Sequence, residues 1–113
     1  MRKTDKKLEN QLRVVLTDVC DHMLTHVAGF QWLTHLVNYS QFPKSLKVVL
    51  IFDSNERLQR FLSLPVKDQV AEQIDAALSQ IGLKLKNVNQ HITYDTEENC
   101  ERHNGGKWNE RLK

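Results

Sequence analysis

The sequence predicts an α+β domain in which helices pack on one face of a small, mixed, three-stranded sheet. Three observations indicate this fold class. Apolar residues recur every three or four positions near the start of the chain, as in an amphipathic helix. Two apolar stretches follow, Phe30–Tyr39 and Leu46–Phe52, with a proline-containing turn between them that is typical of a hairpin. Two helical segments and a third alternating stretch then complete the order α-β-β-α-α-β.

The first helix is predicted over residues 4–28, with an apolar stripe about 120° wide. Thr4 is the expected N-cap, and Ala28-Gly29 the expected stop. The stripe consists of Leu8, Leu12, Val15, Leu16, Val19, Met23 and Val27.

The two strands of the hairpin differ in their patterns. Along the first strand, Trp32 and Leu36 fall on one face, and Leu33 and His35 on the other. The second strand is apolar on both faces after Lys47, so we expect it at the centre of the sheet.

Asp53 is the expected N-cap of the next helix, and Glu56 completes a capping-box pattern. This helix breaks at residues 63–65, and a further segment runs over residues 66–81. Gly82 follows as the expected left-handed residue after that helix.

The third strand is predicted to begin at residues 83–86 and to continue through Ile92 and Tyr94 after a bulge or turn. Because a helical crossover precedes it, this strand should run parallel to the second. We expect one domain over residues 1–95 and a polar tail over residues 96–113. The tail could form one short helix, and its last ten residues should be loosely held.

Composition excludes several classes of protein. With 113 residues, 40% hydrophobic and 27% charged, the chain suits one globular domain, and a net charge of +2 does not by itself imply a polyanionic partner. Its longest apolar run, Val48–Phe52, is far too short to span a bilayer, and no secretory signal pattern is present. Cys20 and Cys100 form no disulfide framework or metal knuckle. We therefore expect a cytoplasmic protein without membrane contact.

No complete catalytic motif is present, so no catalytic residue or cofactor is predicted and an enzyme is not the favoured class. His22 and His26 lie one helical turn apart, with Asp18 a turn earlier, and this spacing can present two imidazoles to a metal ion. The alternative, which we favour, is that both are packed or surface histidines. Asp53 follows a buried strand, where α/β enzymes often place a carboxylate, but its role as a helix cap suffices to explain it.

Candidate nucleic-acid contacts lie in two segments, a basic start and an aromatic, basic hairpin. Cations interleaved with stacking side chains are typical of surfaces that hold single-stranded nucleic acid. The alternatives are a solvated start to the first helix and a core position for Trp32 and Phe42. The candidate residues are Arg2, Lys3, Lys6, Lys7, Trp32, His35, Lys44 and Lys47.

Three segments, Met1–Lys7, Gly29–Tyr39 and Tyr94–Cys100, resemble a family of small uncharacterised gammaproteobacterial proteins, some of them labelled Fis-type transcriptional regulators. The resemblance covers essentially the whole chain and implies a bacterial cytoplasmic setting without a defined activity. The predicted C-terminal strand and tail depart from the helix-turn-helix that ends Fis-type proteins. The element order is also similar to the bacterial KH fold, which implies RNA binding. Where KH domains carry GxxG, this chain has Ser63-Leu64-Pro65-Val66.

Three functions follow as hypotheses. The first is a small non-enzymatic binding protein with RNA, DNA or a ribonucleoprotein as its partner. The second is a homodimeric interaction module that uses an exposed edge strand or the hairpin. The third is a metal-dependent hydrolase built from Asp18, His22, His26 or Asp53.

Overall fold

A computed structural model describes residues 2–112 and has the predicted fold class. A long N-terminal helix, a three-stranded mixed sheet and four further helices follow in the order α-β-β-α-α-β-α-α. The elements are α1 (Lys3–His26), β1 (Phe30–Leu36), β2 (Lys47–Phe52), α2 (Asn55–Leu62), α3 (Val66–Gln80), β3 (Ile92–Thr96), α4 (Glu97–Asn104) and α5 (Trp108–Arg111). Within residues 2–112, no helix is both long enough and apolar enough to cross a membrane.

The sheet has the predicted topology, with β2 at its centre. β1 pairs with β2 in the antiparallel sense, and a bulge lies near Gln31, between Phe30 and Trp32. β3 pairs with the other edge of β2 in the parallel sense, from Ile92 to Thr96. A parallel pair needs a long crossover, and α2 and α3 supply it. The carboxyl ends of β2 and β3 therefore lie together at one end of the sheet, and their amino ends at the other.

The main core lies between one face of the sheet and helices α1, α2 and α3. Val48, Leu50 and Phe52 alternate along β2 and point into it, because neighbouring side chains in a strand face opposite sides. α1 packs its apolar stripe on this face, as predicted, and its buried residues are Leu12, Val15, Leu16, Val19 and Met23.

The C-terminal segment covers part of the other face. Ile51 pairs with Trp32 on β1 and with Asp95 on β3, so these three side chains share that face. Trp108 of α5 packs edge-on against Trp32, with ring centroids 5.0 Å apart. Arg111 forms an ion pair with Asp95 at 2.6 Å. The prediction of helices on one face therefore holds for α1 to α3, while α5 lies on the opposite face.

The predicted third strand and tail require correction. Residues 83–86 form no strand, although Leu83 is buried and Leu85 packs against the core. A short 3-10 turn, Val88–His91, leads instead into β3 at Ile92. The predicted domain boundary at residue 95 falls inside β3, and α5, which lies in the predicted polar tail, packs on the sheet through Trp108.

Gly82 has the predicted left-handed conformation after α3, with a φ of 80°, whereas the predicted N-caps of α1 and α2 are displaced by one or two residues. α1 begins after Arg2 instead of Thr4. Ser54 caps α2 in place of Asp53, because its side chain accepts the Arg57 backbone N–H at 3.2 Å. Thr96 caps α4 by accepting the backbone N–H of Asn99 at 3.0 Å.

The amino ends of α2 and α4 also cap each other. The backbone N–H of Asn55 donates to Glu98 Oε1 at 2.9 Å, and the backbone N–H of Glu98 donates to the Asp53 carbonyl at 3.2 Å. The amide of Asn55 donates to Asn99 at 2.8 Å and accepts from Thr96 Oγ1 at 2.7 Å. This network joins the carboxyl ends of β2 and β3.

Candidate nucleic-acid interface

The amino end of α1 is held against the end of β1 by one carboxylate. Glu9, two turns into α1, accepts hydrogen bonds from His35 Nε2 at 2.8 Å and from the hydroxyl of Tyr39. Tyr39 lies in the short turn that follows β1. We call Glu9, His35 and Tyr39 the carboxylate clip. It fixes the first turns of α1 beside the loop that connects β1 to β2.

The carboxylate clip perturbs the acid–base properties of its members. Partial burial alone would raise the pKa of Glu9, but the hydrogen bonds from Tyr39 and His35 outweigh it and hold the pKa below its ordinary value. Burial and the adjacent Glu9 carboxylate together raise the pKa of Tyr39, so its hydroxyl stays protonated. The clip therefore holds an ionised carboxylate with two donors committed to it.

Through the carboxylate clip, six of the predicted cations come to the same end of the molecule. Four are exposed at the amino end of α1, one at the N-cap and three in the first two turns. The others follow the turn that contains Tyr39, and one of them lies at the start of β2, opposite Leu36. We call this set the basic end: Arg2, Lys3, Lys6, Lys7, Lys44 and Lys47.

No member of the basic end takes part in an ion pair with another residue in the range 2–112. The ion pairs of the other cations lie elsewhere, for example Arg57 with Asp53 and Arg102 with Glu98. Asp5 is the only carboxylate in the first two turns of α1, and the next one, Glu9, is bound within the carboxylate clip. The basic end thus has an excess of positive charge that the described residues leave available to an anion.

Two further lysines were not identified from the sequence. Lys84 and Lys86 are exposed in the connection between α3 and β3. This connection ends beside the start of β2, where His91 Nδ1 donates to the carbonyl of Leu46 at 2.7 Å. Their alternation with Leu83 and Leu85 predicted a strand. That prediction hid the fact that both lysines lie in a connection that leads toward the basic end.

The aromatic candidates do not join the basic end as free stacking surfaces. Trp32 lies four residues before the end of β1, and its indole N–H donates to Glu97 Oε1 at 2.7 Å. Trp108 donates to the other oxygen of the same carboxylate at 2.9 Å. Trp32 therefore belongs to the contact between the sheet and α5.

His35 and the aromatic residues of the turn are also engaged. The side chain of His35 is only 10% exposed and is bound to Glu9. Tyr39 and Phe42 stack on each other with ring centroids 6.1 Å apart, and both are half-buried. Sequence reasoning missed the contact of Glu9 with His35 and Tyr39, because it joins residues from separate elements.

The histidines considered for metal binding lie on the exposed surface of α1. His22 and His26 stack with ring centroids 4.1 Å apart, and Nδ1 of His26 lies 2.9 Å from the His22 carbonyl oxygen. Within residues 2–112, no three His, Cys, Asp or Glu side chains come together as a metal site. Cys100 is fully buried, and burial raises the pKa of its thiol, which disfavours the reactive thiolate.

Asp53 pairs with Arg57 through one carboxylate oxygen at 3.2 Å. Its other oxygen, Oδ1, is the one buried side-chain N or O atom without a hydrogen-bond partner in the described part of the chain. It lies beside Gly29.

Comparisons with protein-family models, with curated proteins and with solved structures find no match for this chain.

Proposed function

We propose that this protein binds nucleic acid, and that the basic end contacts the phosphate backbone. The observation that carries the proposal is the convergence of six exposed cations, from the amino end of α1 and from the start of β2 with the loop before it, without ion-pair partners among the described residues. Phosphate contacts supply most of the affinity of sequence-independent binding, because each one releases condensed counterions.

We expect the protein to contact mainly the phosphate backbone of the nucleic acid and few of its bases. Direct recognition of single-stranded bases usually needs exposed aromatic faces or groups that bind base edges. At this end Tyr39 and Phe42 stack on each other, and the hydroxyl of Tyr39 is committed to Glu9. We therefore expect similar affinities for RNAs of unrelated sequence.

The test compares charge removal at the basic end with charge removal elsewhere. The variant Lys6→Gln/Lys7→Gln is matched by Arg60→Gln/Arg102→Gln, which removes two exposed cations outside the basic end. Binding of a short fluorescent single-stranded RNA is followed by anisotropy at several salt concentrations. The first variant should bind more weakly, with a salt slope smaller by about 0.7 for each lysine removed, since the probe is a single strand. Equal effects of both variants would refute the assignment.

A homodimer is the second candidate function, and one observation favours it. In the described residues, no backbone hydrogen bond from another segment reaches the outer edge of β1. Edge strands are usually protected by charged residues, proline or a bulge; Phe30–Leu36 has the bulge near Gln31 but contains no proline, lysine, arginine, aspartate or glutamate. We infer that two copies could pair through their β1 edges.

Sedimentation velocity over a range of concentrations tests this pairing. Thr34→Lys places a charge on the half-exposed middle of β1 and should abolish dimers, while Gln59→Lys on the exposed surface of α2 should leave them unchanged. A native chain that remains monomeric at the highest concentration would exclude the homodimer.

A further inference from the structure

A cavity lies away from the basic end, where the carboxyl end of α1 meets the corner between α2 and α3. We call it the corner cavity. Its volume is about 510 Å³, within the range of about 300–1,000 Å³ that small-molecule sites usually have. Val27 and Phe61 line it and are almost fully buried, while Leu64 and Val66 lie at its more exposed side. The cavity thus offers apolar surface to a ligand.

The charged residues that line the corner cavity are all of one sign. Arg57 and Arg60, one turn apart on α2, line it together with His26, and no carboxylate does. Each guanidinium makes one ion-pair contact, Arg57 with Asp53 at 3.2 Å and Arg60 with Glu56 at 2.8 Å. A guanidinium has five N–H donors, so both retain donors for a further anion. Exposed pairs of this kind contribute little, so a ligand can compete with them.

The fold fixes the position of one of these arginines. Gly29 has a φ of 85°, and a Cβ built on it would lie 2.6 Å from Cδ of Arg57. The aliphatic part of Arg57 therefore lies directly over the backbone at Gly29, and Asp53 holds the guanidinium from one side. The carboxyl ends of α1 and α2 contribute partial negative charge nearby, but the two full positive charges exceed it.

We propose that the corner cavity binds a small carboxylate that carries a single apolar chain. The carboxylate would contact the guanidinium groups, for which paired N–H donors and carboxylate oxygens are geometrically matched. The chain would cover the apolar surface formed by Phe61 and Leu64. This site is separate from the basic end and does not depend on the proposed nucleic-acid binding.

The test uses decanoate as the probe, below its micelle-forming concentration, with the full chain labelled for two-dimensional NMR. Decanol and decyltrimethylammonium carry the same chain with no charge and with a positive charge. Decanoate should bind saturably, with the largest shifts at residues of the corner cavity. Decanol should bind roughly tenfold more weakly, because it lacks the charge-assisted hydrogen bonds. Equal binding of the three probes, or no saturable binding of decanoate, would overturn the proposal.

Two matched pairs of variants separate charge from apolar contact. Arg60→Glu should weaken decanoate binding roughly tenfold or more, whereas Arg102→Glu, which changes another exposed arginine of an i,i+4 pair, should not. Leu64→Ser should weaken both decanoate and decanol, whereas Leu24→Ser, at an equally exposed leucine of α1, should affect neither. All four positions are exposed, so the folded state should persist. If the members of each pair behave alike, the cavity is not the binding site.

Discussion

Replacing Arg111 with methionine tests whether the C-terminal segment is an anchored part of the fold. Arg111 donates two hydrogen bonds to Asp95, from Nε to Oδ2 at 2.6 Å and from Nη2 to Oδ1 at 3.0 Å. Its remaining amino group donates to Asn104 at 3.0 Å. These contacts link α5 to the last residues of β3 and to the end of α4.

The expected cost follows from the burial of this pair. The side chains of Arg111 and Asp95 are 22% and 17% exposed. Hydrogen bonds to charged groups contribute about 1.5–3 kcal/mol, whereas fully exposed ion pairs contribute about 0–1 kcal/mol. Methionine retains most of the apolar stem but none of the donors. We therefore expect Arg111→Met to lower the free energy of unfolding by about 2 kcal/mol.

Urea unfolding followed by circular dichroism measures this change. Arg60→Met is the matched control, because its pair with Glu56 is 69% and 78% exposed and should contribute less than about 1 kcal/mol. The emission of Trp108 should also shift to the red in Arg111→Met, as α5 loosens from the sheet. Equal and small effects of both substitutions, without a change in emission, would refute the reasoning.

Three further predictions concern other contacts. Gly29→Ala should destabilise the fold by about 1–3 kcal/mol in thermal or urea unfolding, because φ is 85° and the new Cβ would collide with the stem of Arg57. Glu97→Gln should cost about 2 kcal/mol in urea, since an amide has one acceptor oxygen for the two indole N–H groups that the carboxylate binds. The lowered pKa values of Glu9 and Asp95 contribute stability that is present above the ordinary carboxyl pKa and lost on acidification. Unfolding free energy should therefore fall between roughly pH 5 and pH 3, and less steeply in Glu9→Gln.

Periodicity made much of this fold predictable. The 3.6-residue repeat of α1 reflects burial of one stripe of the helix, and the apolar run of β2 reflects burial of both faces of the strand. Both elements appear where expected. The parallel pairing of β2 and β3 followed from the helical crossover between them. These features depend on local pattern and chain connectivity, which one sequence contains.

The missed features depend on contacts between distant residues. Leu83 and Leu85 alternate with lysines as in a strand, yet they turn toward the core without strand pairing, because β3 aligns with β2 only from Ile92. The packing of Trp108 on Trp32 was not predicted, since the two residues lie far apart in the sequence.

The candidate site was predictable in its charges but not in its assembly. Lys6, Lys7, Lys44 and Lys47 were identified from where positive charge lies along the sequence. Their convergence depends on Glu9 and its two hydrogen-bond donors, which no local motif indicates.

The central claim is that the basic end binds phosphates, and the salt dependence of RNA binding tests it most directly. Contact with about five phosphates gives a slope near −3.5 for single strands, because each contact contributes about −0.7. Affinity for a short single-stranded RNA should therefore fall more than about a hundredfold between about 50 and about 300 mM salt. The account would be contradicted by an affinity that does not change over this range, or by no detectable binding at the lower concentration.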